Sequence, residues 1–236
     1  MINTFRERRA RRVGQRSAFD GRGARSGGNF TPDAAYIMGL APVGWYRFGK
    51  GITVTGAGVS TWADASGLGH DMLQITDALR PALQADGSIL FDGVDNVLTS
   101  TFTYPSPVTW YMLLNPLAWT GNDRLLSGMV STVVLLQSGV SPATVLFCTG
   151  AAASIPIPLG SYQAIAAVFN GASSVFQTIN ASATGDPGSN DPGGVAIGAT
   201  NGGANAANIQ VKEVILYAGA HSAATRAAVL AYLGGV

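Results

Sequence analysis

The sequence predicts an all-β protein: an antiparallel β-sandwich of the jelly-roll kind, with an extended N-terminal arm and a short C-terminal helix. Three observations lead there. About a dozen short apolar runs, rich in β-branched and aromatic residues, lie between residues 43 and 218 and are separated by Gly, Pro, Asn, Asp or Ser, which is how strands and tight turns read. No helical pattern intervenes between these runs, which argues for an antiparallel sandwich and against βαβ units. Charge is also unevenly placed. Residues 1–30 carry eight arginines against Glu7 and Asp20, net +6, whereas residues 31–236 carry six cations and eleven acids, net −5. A basic arm (1–30) is attached through a connector (31–42) to a mildly acidic body (43–236).

The arm contains "RERRARRVGQR", and its arginines are Arg6, Arg8, Arg9, Arg11, Arg12, Arg16, Arg22 and Arg25. A like-charged segment punctuated by Gly and Ser cannot bury enough apolar surface to fold alone. It is expected to take shape only against a partner. The near-exclusive use of Arg over Lys favours planar, bidentate contacts. Three roles fit: binding nucleic-acid phosphates, lying along an acidic or carbonyl-rich groove of a protein assembly, or acting as a solubility tail. Phe5, Phe19 and Phe30 are the arm's only aromatics, so base stacking is weakly supported. "GRGARSGG" is not a dinucleotide fingerprint, since no strand precedes it and no helix opens from it. In "TPDAAYIMGL", Thr31 as N-cap, Pro32 at the first helical position and Asp33 in the first turn predict a short connector helix.

From residue 43 onward the strand candidates are "VGWYRFG", "GITVTG", "SILFDG", "NVLTSTFTY", "VTWYMLLN", "RLLSGMV", "TVVLLQS", "ATVLFCT", "YQAIAAVFN", "SVFQTIN", "GGVAIGA" and "IQVKEVILYAG". Near-continuous apolar runs such as "VTWYMLL" suit strands covered on both faces. The last segment, "HSAATRAAVLAYLGGV", changes period. Ser222 can cap a helix, Val229, Leu230 and Leu233 fall on one face, and Gly234 can end it. Cys148 stands alone in the chain, so it forms no intrachain disulfide, and "TVLFC" reads as a strand with Cys148 buried as a small apolar residue. The opening residues lack the apolar core of a secretory signal, so assembly in a reducing cytosol is expected, and the sequons at Asn29 and Asn180 read as chance. No apolar run approaches the roughly 18–20 residues of a membrane span. From Leu125 to Gly185 there are 61 residues without Asp, Glu, Lys, Arg or His. Such a surface is either a contact between subunits or simply Ser/Thr/Gly/Asn-covered.

Three blocks, in order, carry a family resemblance: "WADASGLGHDM" (62–72), "RPALQADGSILFDGVDNVLTS" (80–100) and "IQVKEVILYAGAHSAATRAAVLAYL" (209–233). The body resembles the concanavalin A-like lectin/glucanase superfamily, in particular its laminin G-like domains. The resemblance implies a scaffold used mostly for binding. Glucanase members carry paired acids on one strand, which glycoside hydrolysis needs. This sequence has only Glu7 and Glu213 as glutamates and no such spacing, so the chain is not expected to be an enzyme. Relatives also bind calcium through acidic rim loops, and Asp64, Asp71, Asp92 and Asp95 have suitable oxygens, although turn-forming Asp is the commoner role. In "DASGLGH", Asp64 and Ser66 can accept backbone N–H bonds and Gly67 and Gly69 can take φ > 0. In "FDGVDN", Phe91 points inward, and Asp92-Gly93 and Asp95-Asn96 supply reversal chemistry. The candidate rim-loop site is therefore Trp62, Asp64, His70, Asp71, Asp92, Asp95 and Asn96. No catalytic residue, cofactor or metal is expected. His70 reads as a loop residue and His221 as preceding the helix cap.

These readings combine into an expected non-enzymatic virion structural protein, assembled in the host cytoplasm. It would be a bacteriophage capsid decoration protein or a head or tail fibre component, present in many copies and anchored to other virion proteins by its arm. Two alternatives stand beside it: a carbohydrate-binding adhesion module for surface glycans, and a coat protein whose arm binds the packaged genome.

Overall fold

The computed structural model describes residues 31–129, 133–137, 139, 143–147, 153–188 and 190–236. The eight arm arginines and Cys148 lie outside the described residues. The chain begins with helix α1 (Ala34–Gly39), followed by β1 (Gly44–Tyr46), β2 (Ile52–Thr55), β3 (Gly58–Trp62) and β4 (Met72–Leu73). A single 3-10 turn, Asp77–Leu79, leads to β5 (Ala82–Leu83), β6 (Ile89–Asp92), β7 (Leu98–Ser100) and β8 (Val108–Pro116). Then come β9 (Arg124–Ser127), β10 (Val134–Gln137), β11 (Ala143–Phe147), β12 (Ser154–Pro156) and β13 (Gln163–Phe169). The series closes with β14 (Ser174–Thr178), β15 (Ser182–Gly185), β16 (Val195–Ile197), β17 (Asn208–Ala218) and helix α2 (Ala223–Leu233).

Among the described residues the strands form two antiparallel sheets, as the sequence predicts. One has eight strands in the order β15-β14-β13-β8-β17-β6-β5, with β1 also paired to β17. The other has nine, β12-β11-β10-β9-β16-β7-β4-β3-β2. The five strands with no counterpart among the twelve runs, β3, β4, β5, β12 and β15, have two to five residues each.

Strand β8 shows why "VTWYMLLNP" lacks polar alternation. Val108, Trp110, Met112 and Leu114 point into the core between the sheets, while Tyr111 and Leu113 point outward into a second apolar layer. All nine residues are buried. That second layer is covered by both helices. Ile37 of α1 and Val229, Leu230 and Leu233 of α2 pack with Trp45, Ile215 and Tyr217 over the outer face of the eight-stranded sheet. The connector helix is thus part of the sandwich's cover, and the Tyr217 hydroxyl donates to the Ile37 carbonyl at 3.2 Å. Its cap differs from the expected one. Asp33, not Thr31, is the N-cap and accepts from the Tyr36 N–H at 2.9 Å, because the carboxylate sits one turn below the donor it can reach.

Strand β17 serves both layers through a bulge between Val211 and Glu213. Ile209 and Val211 face the inter-sheet core, and after the extra residue Val214 and Leu216 face it again. The bulge turns Glu213 outward to a position only 2% exposed. There it accepts the Trp45 indole N–H at 2.7 Å and the Tyr232 hydroxyl at 2.8 Å, with the Phe48 N–H at 3.4 Å. One carboxylate therefore ties β1, the following loop and α2 to the central strand.

Helix α2 starts as expected. Ser222 accepts from the Thr225 N–H at 3.2 Å, and His221 precedes the cap. The His221 ring packs 4.3 Å from that of Tyr217, with Nδ1 2.8 Å from the Tyr111 hydroxyl. Burial, and secondarily the nearby Arg226, pull its pKa down from 6.5 to about 4.

Two outcomes follow. Glu213→Ala strands the indole and phenol donors in an apolar layer, so denaturant titration should show a loss of about 3 kcal/mol, with Glu213→Gln losing less. Because the folded His221 binds its proton less readily than the unfolded chain does, stability is unaffected above pH 6.5 and falls as the pH drops from there towards about 4. Denaturation midpoints should trace that slope, and His221→Gln should flatten it.

Candidate functional site

The loop after β3 is built around one carboxylate. Asp64 Oδ1 accepts from the Trp45 N–H at 2.9 Å and the Ser66 N–H at 2.8 Å. Its Oδ2 accepts from the Ser66 hydroxyl at 2.6 Å and the His70 N–H at 3.1 Å. Gly67 and Gly69 take φ of 87° and 76°, a left-handed backbone that glycine adopts without strain and that lets the chain curl round the carboxylate. Burial pushes the Asp64 carboxyl upward, but the hydrogen bonds from Ser66, Trp45 and His70 outweigh it and hold it below 3.8. The Asp64 N–H in turn donates to Asp71 Oδ1 at 2.8 Å.

His70 is fixed on three sides. Its ring stacks on Phe102 at 4.0 Å, and its Nδ1 lies 2.6 Å from the Val43 carbonyl. Since a carbonyl only accepts, Nδ1 carries the hydrogen of that bond. The His70 carbonyl accepts the Tyr46 hydroxyl at 2.6 Å and the Ser100 hydroxyl at 2.9 Å.

This scaffold lines part of a cleft of about 740 Å³. Alternation along two short strands puts the cleft on the outer face of the nine-stranded sheet. Met72 and Leu98 point into the core, so Leu73 and Thr99, paired across β4 and β7, point away from it and form the floor. The rest is lined by Gly69, His70 and Asp71 before β4, by Ile75, Thr76 and Leu79 after it, by Thr101 after β7, and by Asn201 and Gly202. Leu73 and Ile75 are 46% and 88% exposed. Gln74 and Ser100 also line the cleft, but their polar atoms are turned to the protein. Gln74 bonds the Val97 carbonyl and the Thr76 N–H, and Ser100 the His70 carbonyl.

Of the seven residues expected at a rim-loop site, His70 and Asp71 line the cleft, and Asp64 sits behind them as their support. Trp62 does not present a ligand surface. It ends β3 with its side chain in the core, fully buried, its indole N–H donating to the Arg47 carbonyl at 3.0 Å. Asp92, Asp95 and Asn96 shape the β6–β7 turn and stay off the cleft. Asp92 accepts from the Val94 N–H at 2.9 Å, and the side chain of Asn96 accepts from the Asp92 N–H at 3.1 Å. Among the described residues no group of three or more His, Cys, Asp or Glu side chains has metal-ligating placement. The residues that sequence reasoning missed, Leu73, Ile75, Thr76, Leu79, Thr99, Thr101 and Asn201, come from three separate segments and share no local motif.

Removing the hub should cost folding stability. Asp64→Ala should lose about 2–3 kcal/mol at neutral pH in urea titrations, and Asp64→Asn less, since its amide still has an acceptor oxygen. The carboxylate's contribution is present above 3.8 and is lost as the pH falls below it. The gap between wild type and Asp64→Asn should therefore close under acid.

No family model matches the sequence, and no curated protein matches it. Solved structures do share its fold. Trypanosoma rangeli sialidase in complex with sialic acid aligns over 86% of this chain and 34% of its own, with a TM-score of 0.62 and 13% identity. The binding domain of Paraclostridial Mosquitocidal Protein 1 aligns over 82% and 52%, with a TM-score of 0.58 and 12% identity. The receptor binding domain of botulinum neurotoxin type G aligns over 82% and 51%, with a TM-score of 0.58 and 10% identity. The chain spans about a third of the sialidase and about half of each toxin domain. At such identities the likeness shows the fold alone: a β-sandwich found both in an enzyme and in receptor-binding domains, which assigns no activity.

Proposed function

We propose that the chain is a non-enzymatic recognition module: a concanavalin A-like sandwich of the laminin G kind, held on a larger assembly by its arginine-rich arm. The cleft on its nine-stranded sheet meets a surface glycan. The observation that carries this reading is the cleft itself: it opens on the outer face of the nine-stranded sheet, where exposed Leu73 and Ile75 lie beside Asp71 and the threonines at 76 and 101. Asp64 supports the non-enzymatic part of the reading. Its two oxygens already accept four hydrogen bonds, so it has no free lone pair to act as base or nucleophile beside Asp71.

The assembly proposed is a bacteriophage particle, on which the chain is a capsid decoration protein or a head or tail fibre component. The opposed charges of arm and body support it, as does the choice of Arg over Lys. So does the stretch of 61 uncharged residues from Leu125 to Gly185, suited to packing against neighbouring subunits.

Deleting residues 2–30 tests the anchor. Expressed with the other structural proteins of its source particle, the full chain should co-sediment with assembled particles. The truncated chain should stay behind while its circular dichroism spectrum still reports a folded sandwich. Normal incorporation of the truncated chain would overturn the reading. If instead the full chain bound free nucleic acid with an affinity falling steeply between 50 and 200 mM salt, the arm would be a genome-binding segment.

A further inference from the structure

We infer that the cleft takes a neutral, hydroxyl-rich sugar and excludes sialylated or otherwise anionic glycans. This deepens the recognition reading above and rests on it.

The inference comes from an account of which polar groups in the cleft are still free. Among the described residues that line it, Asp71 is the one charged side chain. One of its oxygens accepts the Asp64 N–H, and the other has no hydrogen bond among the described residues. Among the described residues the cation beside the cleft is Arg80, and four of its five N–H groups are engaged. Its Nε donates to the Gln74 carbonyl at 2.9 Å, one terminal nitrogen to the Thr55 carbonyl at 2.7 Å and to Asp77, and the other to the Ile75 carbonyl at 3.1 Å. No guanidinium edge is left for the bidentate grip that carboxylates and phosphates favour. An anionic ligand would therefore shed water to lie beside the Asp71 carboxylate with no counter-charge free to pair with it among the described residues, which costs desolvation and like-charge repulsion with nothing to offset them.

A sugar ring meets the opposite situation. Its hydroxyls both donate and accept. The free oxygen of Asp71 accepts, the hydroxyls of Thr76 and Thr101 do either, and the amide of Asn201 gives one bond to the Met129 carbonyl and keeps its oxygen. Leu73 and Ile75 offer apolar surface to the C–H face of the ring. The volume, about 740 Å³, lies within the range of small-molecule sites.

The test uses the full-length chain and one set of N-glycans immobilised before and after enzymatic desialylation. The arm complicates the comparison, because its net +6 attracts any anion. Binding is therefore read at about 0.15 M and about 0.5 M salt, where surface attraction is screened. The desialylated set should bind roughly tenfold more tightly at the higher salt. Asp71→Asn, which keeps the oxygen that Asp64 needs, should weaken binding of the desialylated set by about tenfold and leave the sialylated set no weaker. Thr101→Val should weaken the desialylated set alone. Equal or tighter binding of the sialylated set at the higher salt would overturn the inference, as would variants that bind like wild type, and either would leave the recognition reading in place. Failure to bind either set, by a chain whose melting temperature shows it folded, would remove the glycan-recognition reading itself.

Discussion

Strand β17 must face two apolar layers at once, and one extra residue makes that possible. Its inward positions, Ile209 and Val211, are followed after three residues by Val214 and Leu216. Strict alternation would have put Val214 on the wrong side. The bulge at Lys212 restores the parity. It also directs Glu213 to the outer face, where the acid is nearly enclosed and accepts bonds from Trp45, Phe48 and Tyr232. The strand that pairs with β8, β6 and β1 is thus also the one to which α2 is fastened. Lys212 itself lies over the rings of Phe48 and Tyr162, 4.6 Å from each centroid, so even the extra residue helps to hold a loop.

Much of this architecture was legible because burial on two faces leaves a mark on composition. "VTWYMLLNP" could be read as a doubly covered strand with no knowledge of what covered it, and the apolar face of "AATRAAVLAYL" supplied one of the covers. Turn chemistry was legible where it is local: Asp64 accepts from Ser66 and His70 and Asp92 from Val94, and the glycines at 67, 69 and 93 take positive φ, whereas the bond from Trp45 to Asp64 is long-range and left no local mark. The short strands were not legible. β4 and β5 have two residues each and exist only because a neighbouring strand supplies the partners. Trp62 was misjudged because a tryptophan beside a turn looks the same whether its ring points into the core or out at the rim. Only the parity of β3 decides, and β3 was itself not among the recognised runs.

The cleft escaped the sequence for a deeper reason. Part of its lining is local, and His70 and Asp71 were named as candidates, but its floor is a single cross-strand pair, Leu73 with Thr99, and Asn201 and Gly202 come from a hundred positions later. Neither Leu73 nor Thr99 stands out in composition. What joins them is the order of the nine-stranded sheet, in which β4 lies between β3 and β7. That order requires Gly198 as well. A Cβ there would lie 2.1 Å from the Phe91 ring, so the chain leaving β16 can close over the core only without one.

The two sheets therefore divide the molecule's chemistry. The eight-stranded sheet is sealed on its outer side by α1 and α2, and the polar groups of that layer, Glu213 and His221 among them, bond to the protein. The nine-stranded sheet has no helix over it among the described residues. Its outer side exposes Leu73 and Ile75 beside the hydroxyls of Thr76 and Thr101 and a carboxylate oxygen of Asp71. Leu73 and Ile75 lie together in this one cleft, so with the nearby hydroxyls they make an amphipathic surface there. The same pairing of apolar and hydroxyl-bonding groups is what a ring with one C–H face and a hydroxyl edge presents in return. The openness of this sheet, more than any motif, is what the proposed binding role rests on.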